Sequence, residues 1–168
     1  MCKDSYYRIG KQYNYFMNTN NLDQKARGLI EPDSHLVKRH LEYLQEMVRI
    51  ETVNPPGMNY RSMLDQLARR CQILGMSTTI HQVPDREVLA GIGSADHPRF
   101  NLIARWDVGA DRTVHFNAHY DVVPAMGSWK FGDPFEPGIK DGVIYGRGSG
   151  DMKGSIAALL MAVEAVSY

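Results

Sequence analysis

The chain has 168 residues, of which 43% are hydrophobic and 23% charged, and its 19 basic residues balance 19 acidic ones. These values are typical of a soluble globular domain, and the zero net charge gives no case for a nucleic acid or an anionic membrane as partner. No apolar run reaches the roughly 18 residues of a membrane span, and the start has no apolar signal region. Two cysteines, Cys2 and Cys71, predict no disulfide framework and favour the cytoplasm.

The first 32 residues are predicted to form a polar N-terminal arm. They are rich in tyrosine and asparagine and poor in aliphatic residues. A weakly ordered arm is one interpretation, and a short helix that docks on a partner is the other. Residues 33–168 carry the periodic patterns of a folded domain.

Two helices are predicted after the arm. The first begins near Asp33 or Ser34, either of which can cap it, and is broken by the "NPPG" stretch at 54–57. The second runs from about Met58 to Leu74, where Gly75 suits the C-terminal cap. Both patterns place apolar residues at spacings of three and four.

The middle of the chain is predicted to form strands. The stretches "MSTTIHQV", "NLIARW" and "TVHFNA" are predicted strands, at residues 76–83, 101–106 and 113–118, while residues 85–99 are ambiguous. Residues 124–142, rich in proline and glycine, are predicted to be a long loop. The short strand "VIYG" follows, and an apolar helix begins after Asp151. Alternating helices and strands predict an α/β fold with a mixed sheet.

Two polar residues end the predicted strand "TVHFNA". His119 and Asp121 are two residues apart, so they share one face of an extended chain. A neutral imidazole is a common metal ligand, and a carboxylate beside it can orient the ring and raise its basicity. A structural ion pair is the alternative interpretation of the two residues alone.

A glycine-rich turn, "GRGSGDMKG" at residues 146–154, precedes the last helix. Its spacing fits neither the phosphate-binding loop nor the dinucleotide-binding pattern. The glycines allow a sharp turn that delivers Asp151 to the start of a helix, where the dipole favours an ionised carboxylate. Asp151 is then either a metal ligand or only the N-cap.

Taken in order, "HYDVVP", "W…DPFEP" and "DGVIYGRGSGDMKG" resemble the M20 metallopeptidases and deacylases, in particular the branch of acetylornithine deacetylase and succinyl-diaminopimelate desuccinylase. The resemblance covers residues 33–168. It implies the N-terminal portion of a three-layer α/β/α zinc-peptidase-like catalytic domain, truncated, without the lid or dimerisation domain. It further implies a hydrolase of N-acyl amino acids or short peptides that is a homodimer when complete.

The resemblance also implies roles for individual residues. His119 would bind one of two zinc ions, for which cobalt or manganese could substitute, and Asp121 would orient His119 in the catalytic site. Asp151 would bridge both metals, and the Asp151–Met152 peptide bond would be cis. The family pattern continues with a Glu-Glu pair, a further acidic ligand and a distant histidine, whereas this chain contains no Glu-Glu dipeptide.

The leading functional hypothesis is therefore a zinc-dependent hydrolase that cleaves the amide bond of N-acyl amino acids, with this chain inactive alone. An M20 dipeptidase or carboxypeptidase and a non-catalytic fragment are the alternatives. Among the remaining polar residues, His40 is expected at the surface, and Lys153 is expected to point at solvent or at an acidic partner. Arg147 is expected either to meet a substrate carboxylate or to anchor the glycine turn through a salt bridge.

Overall fold

A computed structural model describes residues 6–8, 21–90 and 96–167 of the chain. In chain order, its elements are β1 (Tyr6–Arg8), α1 (Asn21–Leu29), α2 (His35–Arg49), α3 (Tyr60–Ile73), β2 (Ser77–Gln82), α4 (Asp85–Ala90), β3 (Phe100–Arg105), β4 (Gly138–Lys140), β5 (Val143–Tyr145) and α5 (Lys153–Val166). The predicted α/β class is confirmed, as are both early helices, the strands that became β2, β3 and β5, and the final helix.

The chain divides into two compact units. We call Met1–Arg49 together with Met126–Tyr168 the discontinuous unit, and Ile50–Ala125 the continuous unit. The sequence-based division into an arm at 1–32 and a catalytic portion at 33–168 follows a different criterion and stays a prediction. Residues 9–20 of that arm lie outside the described residues, and the described part of the arm contains β1 and α1.

In the discontinuous unit, helices α2 and α5 pack against each other, and α1 contacts both. The buried residues of α2 follow the spacing of three and four that the sequence predicted. Strands β1, β5 and β4 form an antiparallel sheet in that order, with fully buried Ile144 on the central strand. The apolar core residues of this unit include Leu36, Leu44, Met47, Val48, Ile144, Ile156 and Leu160.

In the continuous unit, α3 packs on a two-stranded antiparallel sheet formed by β2 and β3. The register runs from Ser77 opposite Arg105 to Gln82 opposite Phe100. Gly75 ends α3 at a φ of 81°, and the amide of Met76 donates to the carbonyl of Cys71, so the predicted glycine cap is confirmed. The helix buries Tyr60, Met63, Leu64, Leu67, Ala68 and Cys71.

The strand predicted at residues 113–118 is wrong, because these residues belong to no β-ladder. Val114 and Phe116 are 75% and 63% exposed. A strand is stabilised by hydrogen bonds and side-chain pairs with a neighbour, and the described residues provide none for this segment. The predicted long loop at 124–142 also contains one strand, β4.

We find no helix in the described ranges that combines the length and apolar character needed to cross a membrane.

Candidate metal centre

A short parallel pairing positions the stretch that holds His119 and Asp121. Val53 and Val122 form an isolated parallel bridge. The amide of Val122 donates to the carbonyl of Thr52 at 2.9 Å, and the amide of Asn54 donates to the carbonyl of Val122 at 2.8 Å. The Thr52 hydroxyl adds a bond to the carbonyl of Tyr120 at 2.6 Å. The "TVNPPG" segment therefore lies directly beside Asp121.

Tyr120 anchors the same stretch from the opposite side of the chain. Its hydroxyl donates to the carbonyl of Phe100 at 2.7 Å. Its ring meets the ring of Tyr60 edge-on, with centroids 5.0 Å apart. Neighbouring side chains of an extended chain project to opposite sides, so with Tyr120 held inward, His119 and Asp121 remain accessible, with side chains 49% and 34% exposed.

One ring nitrogen of His119 faces Asp121. Nδ1 lies 3.1 Å from the main-chain oxygen of Asp121 and 3.2 Å from its carboxylate Oδ1. Both oxygens are acceptors, so Nδ1 carries the proton. In the neutral ring the lone pair is then on Nε2, the nitrogen that would bind a metal. This contact is the pairing predicted from the sequence.

The carboxylate of Asp121 has two further donors. Asn54 Nδ2 donates to Oδ2 at 3.1 Å, and the hydroxyl of buried Tyr60 donates to the same carboxylate. Burial, together with the negative charge of Asp121, raises the pKa of Tyr60 to about 12, so Tyr60 stays a donor at neutral pH. The carboxylate of Asp121 is therefore held as an acceptor facing His119.

Asp151 lies in the discontinuous unit, immediately before α5. The Asp151–Met152 peptide bond is cis, which confirms the expectation drawn from the family resemblance. Helix α5 begins at Lys153 with Met152 as its N-cap, so the interpretation of Asp151 as the N-cap is wrong. Asp151 is exposed.

The glycine-rich turn before Asp151 is closed by its own backbone. The amide and the hydroxyl of Ser149 both donate to the carbonyl of Gly146, at 3.2 and 2.9 Å. The amide of Lys153 donates to the carbonyl of Gly148 at 2.9 Å. Gly148 has a φ of 86°, a conformation that glycine adopts at low cost. These bonds fix where the chain turns into α5.

Two basic side chains of this turn are buried. Lys153 is fully buried and its ammonium donates to the carbonyl of Met47 at 2.9 Å, so the expectation that Lys153 points at solvent is wrong. The guanidinium of Arg147 lies 4.9 Å from the centre of the Trp129 ring, in the geometry of a cation–π contact. Burial lowers the pKa of Lys153 to about 8.

The contribution of Lys153 to the free energy of unfolding should rise by about 2 kcal/mol between pH 8 and pH 10, measured as the difference between the unsubstituted chain and Lys153→Met. In this range the unfolded chain still holds the proton of Lys153, with its ordinary pKa of 10.5, whereas the folded chain has released it. The unfolded state therefore binds more protons, and stability increases with pH. Urea denaturation at several pH values measures this rise, which Lys153→Met should remove. An equal rise in that variant would contradict the assignment.

The three site residues predicted from the sequence are thus placed in two groups. His119 and Asp121 are in contact within the continuous unit, and Asp151 belongs to the other unit. Across residues 6–8, 21–90 and 96–167, no group of three or more histidine, cysteine or acidic residues is arranged to hold a metal ion. Sequence reasoning missed Asn54 and Tyr60, which carry none of the motifs that pointed to the site.

One known protein family matches the part of the chain that contains His119, Asp121 and Asp151. Residues 115–167, which contain both groups, match the family described as peptidase family M20/M25/M40. The resemblance to the M20 family is therefore confirmed for this part of the chain.

Curated relatives point to one branch of that family. The chain is 36% identical to a succinyl-diaminopimelate desuccinylase of Methylobacterium radiotolerans over 134 residues, covering 79% of this chain and 31% of the relative. It is also 36% identical to the enzyme of that name from Buchnera aphidicola, covering 74% and 28% of the two chains. The chain thus spans about a third of the length of these relatives.

A solved structure supports the fold. Human carnosine dipeptidase 1 superposes with a TM-score of 0.65 at 26% identity, over 89% of this chain and 31% of the dipeptidase. The chain therefore has the α/β fold of the corresponding part of an M20 peptidase.

Proposed function

We propose that this chain carries part of the metal site of a zinc-dependent hydrolase that cleaves the amide bond of N-acyl amino acids. The observation that carries the proposal is the placement of His119 Nδ1 against two acceptor oxygens of Asp121. This placement leaves Nε2 as the nitrogen for a metal ion. The desuccinylase relatives support an N-acyl amino acid as substrate.

The residues fit a divalent metal by their chemistry. His119 would bind through Nε2, and the exposed carboxylate of Asp151 would bind through oxygen, both of which are normal zinc ligands. Bound zinc would lower the pKa of water and polarise the amide carbonyl of the substrate. Asp121 would keep the proton on Nδ1 of His119 and raise the basicity of Nε2.

These residues leave the site incomplete, since a catalytic zinc normally has three protein ligands and a water. The chain supplies His119 and Asp151 toward this set. We therefore propose that the 168-residue chain has no hydrolase activity alone and that activity requires further ligands, such as the Glu-Glu pair of the family pattern.

A dipeptidase is the second candidate, and the similarity to human carnosine dipeptidase 1 is the observation that favours it. The purified chain should be assayed with N-succinyl-diaminopimelate, N-acetylornithine and carnosine, with and without a chelator. We expect no hydrolysis. Chelator-sensitive hydrolysis would overturn the proposed inactivity, and the preferred substrate would then distinguish deacylase from dipeptidase.

Zinc binding tests the site independently of catalysis. We expect Asp121→Ala to weaken zinc binding by about 10–100-fold, because orienting partners of metal-binding histidines contribute to affinity on this scale. His119→Ala should abolish binding at the site. Competition with a chromophoric chelator measures both effects.

The matched control is His81→Ala, which removes an exposed histidine on β2 of the same unit. Its zinc affinity should equal that of the unsubstituted chain. Equal affinity in the His119 and His81 variants would rule out the proposed site and favour a non-catalytic fragment.

A further inference from the structure

We propose that Asn54, oriented by Arg99, is a positioning residue that holds Asp121, and through it His119, in the arrangement that binds metal. The inference rests on the proposed metal site and adds two residues to it. Both lie outside the histidine and aspartate motifs, in the "TVNPPG" segment and at the entrance to β3. All the contacts that link these residues lie within the continuous unit.

The side-chain amide of Asn54 lies between the guanidinium of Arg99, which only donates hydrogen bonds, and the carboxylate of Asp121, which accepts them. Arg99 Nη2 donates to Asn54 Oδ1 at 3.2 Å, and Asn54 Nδ2 donates to Asp121 Oδ2 at 3.1 Å. A guanidinium cannot accept a hydrogen bond, and an ionised carboxylate cannot donate one. The amide therefore has only one satisfactory orientation, in which its NH2 group faces Asp121.

Arg99 is itself fixed from three sides. Its Nη1 donates to the carbonyl of His97 at 2.9 Å, and its guanidinium lies 5.1 Å from the centre of the Tyr60 ring. Gly57 presents only backbone to this group, since a Cβ there would lie 1.7 Å from Arg99 Nη1. The glycine of the "NPPG" stretch thus leaves the space that the guanidinium occupies.

The backbone of Asn54 is also hydrogen-bonded to the segment that contains Asp121. Its amide donates to the carbonyl of Val122, the residue after Asp121. Main chain and side chain of Asn54 therefore hold Asp121 at two points. Loss of the side-chain donor would leave the Tyr60 hydroxyl as the remaining donor named above, so the carboxylate could rotate and the proton of the His119 ring could redistribute between its nitrogens.

Asn54→Asp is the sharpest test, because it keeps the size of the side chain and an acceptor for Arg99 but removes the donor to Asp121. Asn101→Asp is the matched control, since Asn101 is exposed on β3 and the change adds the same charge. Nitrogen-15 NMR of the metal-free chain near pH 8, above the ordinary histidine pKa, reports the tautomer of His119. Chelator competition reports the zinc affinity.

In the unsubstituted chain and in Asn101→Asp, His119 should be protonated on Nδ1. In Asn54→Asp the two tautomers should become mixed, and the zinc affinity should fall by about tenfold. Identical tautomers in the two variants would overturn the proposal, and so would a loss of zinc affinity without a change of tautomer. If Asn54→Asp changes the tautomer of His119 but the unsubstituted chain binds no zinc, the positioning role of Asn54 stands. The proposed metal function is then ruled out.

If circular dichroism shows that Asn54→Asp does not fold, Arg99→Lys is the second test of the proposal. It keeps the charge but loses the planar fork that orients the amide. Here too the tautomers should become mixed, with Arg105→Lys, an exposed arginine of β3, as control. An unchanged tautomer in folded Arg99→Lys would overturn the role of Arg99 as the group that orients Asn54.

Discussion

Glu164→Ala is expected to lower the free energy of unfolding of the chain by about 1–3 kcal/mol, because it removes the acceptor of buried His40 and the ion pair with Arg39. Glu164 Oε2 lies 2.8 Å from Nε2 of His40, and Oε1 forms an ion pair with Arg39. The side chains of Glu164 and His40 are 10% and 3% exposed. The cluster links α2 to α5, which form the helical core of the discontinuous unit.

The carboxylate of Glu164 lies at a position in α5 that is unfavourable for a negative charge unless other groups interact with it. It lies in the last turn of α5, where the negative end of the helix dipole disfavours a carboxylate. The cation of Arg39 and the ring of His40 offset this cost. Without Glu164, the ring nitrogen of His40 would lose its acceptor inside the core, and unsatisfied buried polar groups cost about 1–3 kcal/mol.

Urea denaturation measures the loss, and Glu42→Ala is the control. Glu42 is exposed on α2, so its replacement should change stability by less than about 0.5 kcal/mol. Glu164→Ala combined with His40→Leu should recover part of the loss, because it removes both partners instead of one. Equal stability of the Glu164 and Glu42 variants would show that the cluster contributes nothing.

Local patterns predicted the helices α2, α3 and α5 and the strands β2, β3 and β5, but not α4 in the ambiguous stretch at 85–99. The spacing of Leu36, Leu44 and Met47 identified α2, and Gly75 identified the end of α3. Both features depend on residues only a few positions apart, so the local sequence is sufficient to predict them. The segment at 113–118 has the composition of a strand, but a strand also requires a partner, and pairing is not a local property.

Only the residues of the candidate site that belong to sequence motifs were predictable. His119, Asp121 and Asp151 stand in a recognisable order, and the cis bond after Asp151 followed from the family resemblance. Asn54 and Arg99 were not found, because 67 and 22 residues, respectively, separate them from Asp121. Their role depends on the parallel bridge between Val53 and Val122, which no periodicity indicates.

Buried charged side chains were the least predictable feature. His40 was expected at the surface and Lys153 toward solvent or an acidic partner, and both are buried. Their burial depends on acceptors brought by other elements: Glu164 from α5 for His40, and the carbonyl of Met47 from α2 for Lys153. A sequence pattern gives the polarity of a residue, whereas its burial depends on whether the fold supplies a partner.

Gly154→Ala is expected to lower the free energy of unfolding by about 3 kcal/mol, although alanine is the better helix former. Gly154 is the second residue of α5, and a Cβ there would lie 2.2 Å from the carbonyl oxygen of Ser149. That oxygen belongs to the backbone of the turn, so the contact could be relieved only by moving the turn or the helix. Gly28→Ala is the matched control, because Gly28 lies within α1 and its Cβ would meet no atom within 4 Å. It should stabilise the chain by about 0.5–1 kcal/mol. Urea denaturation of the two variants separates helix propensity from this contact, and a stabilising Gly154→Ala would show that the turn before Asp151 can move without cost.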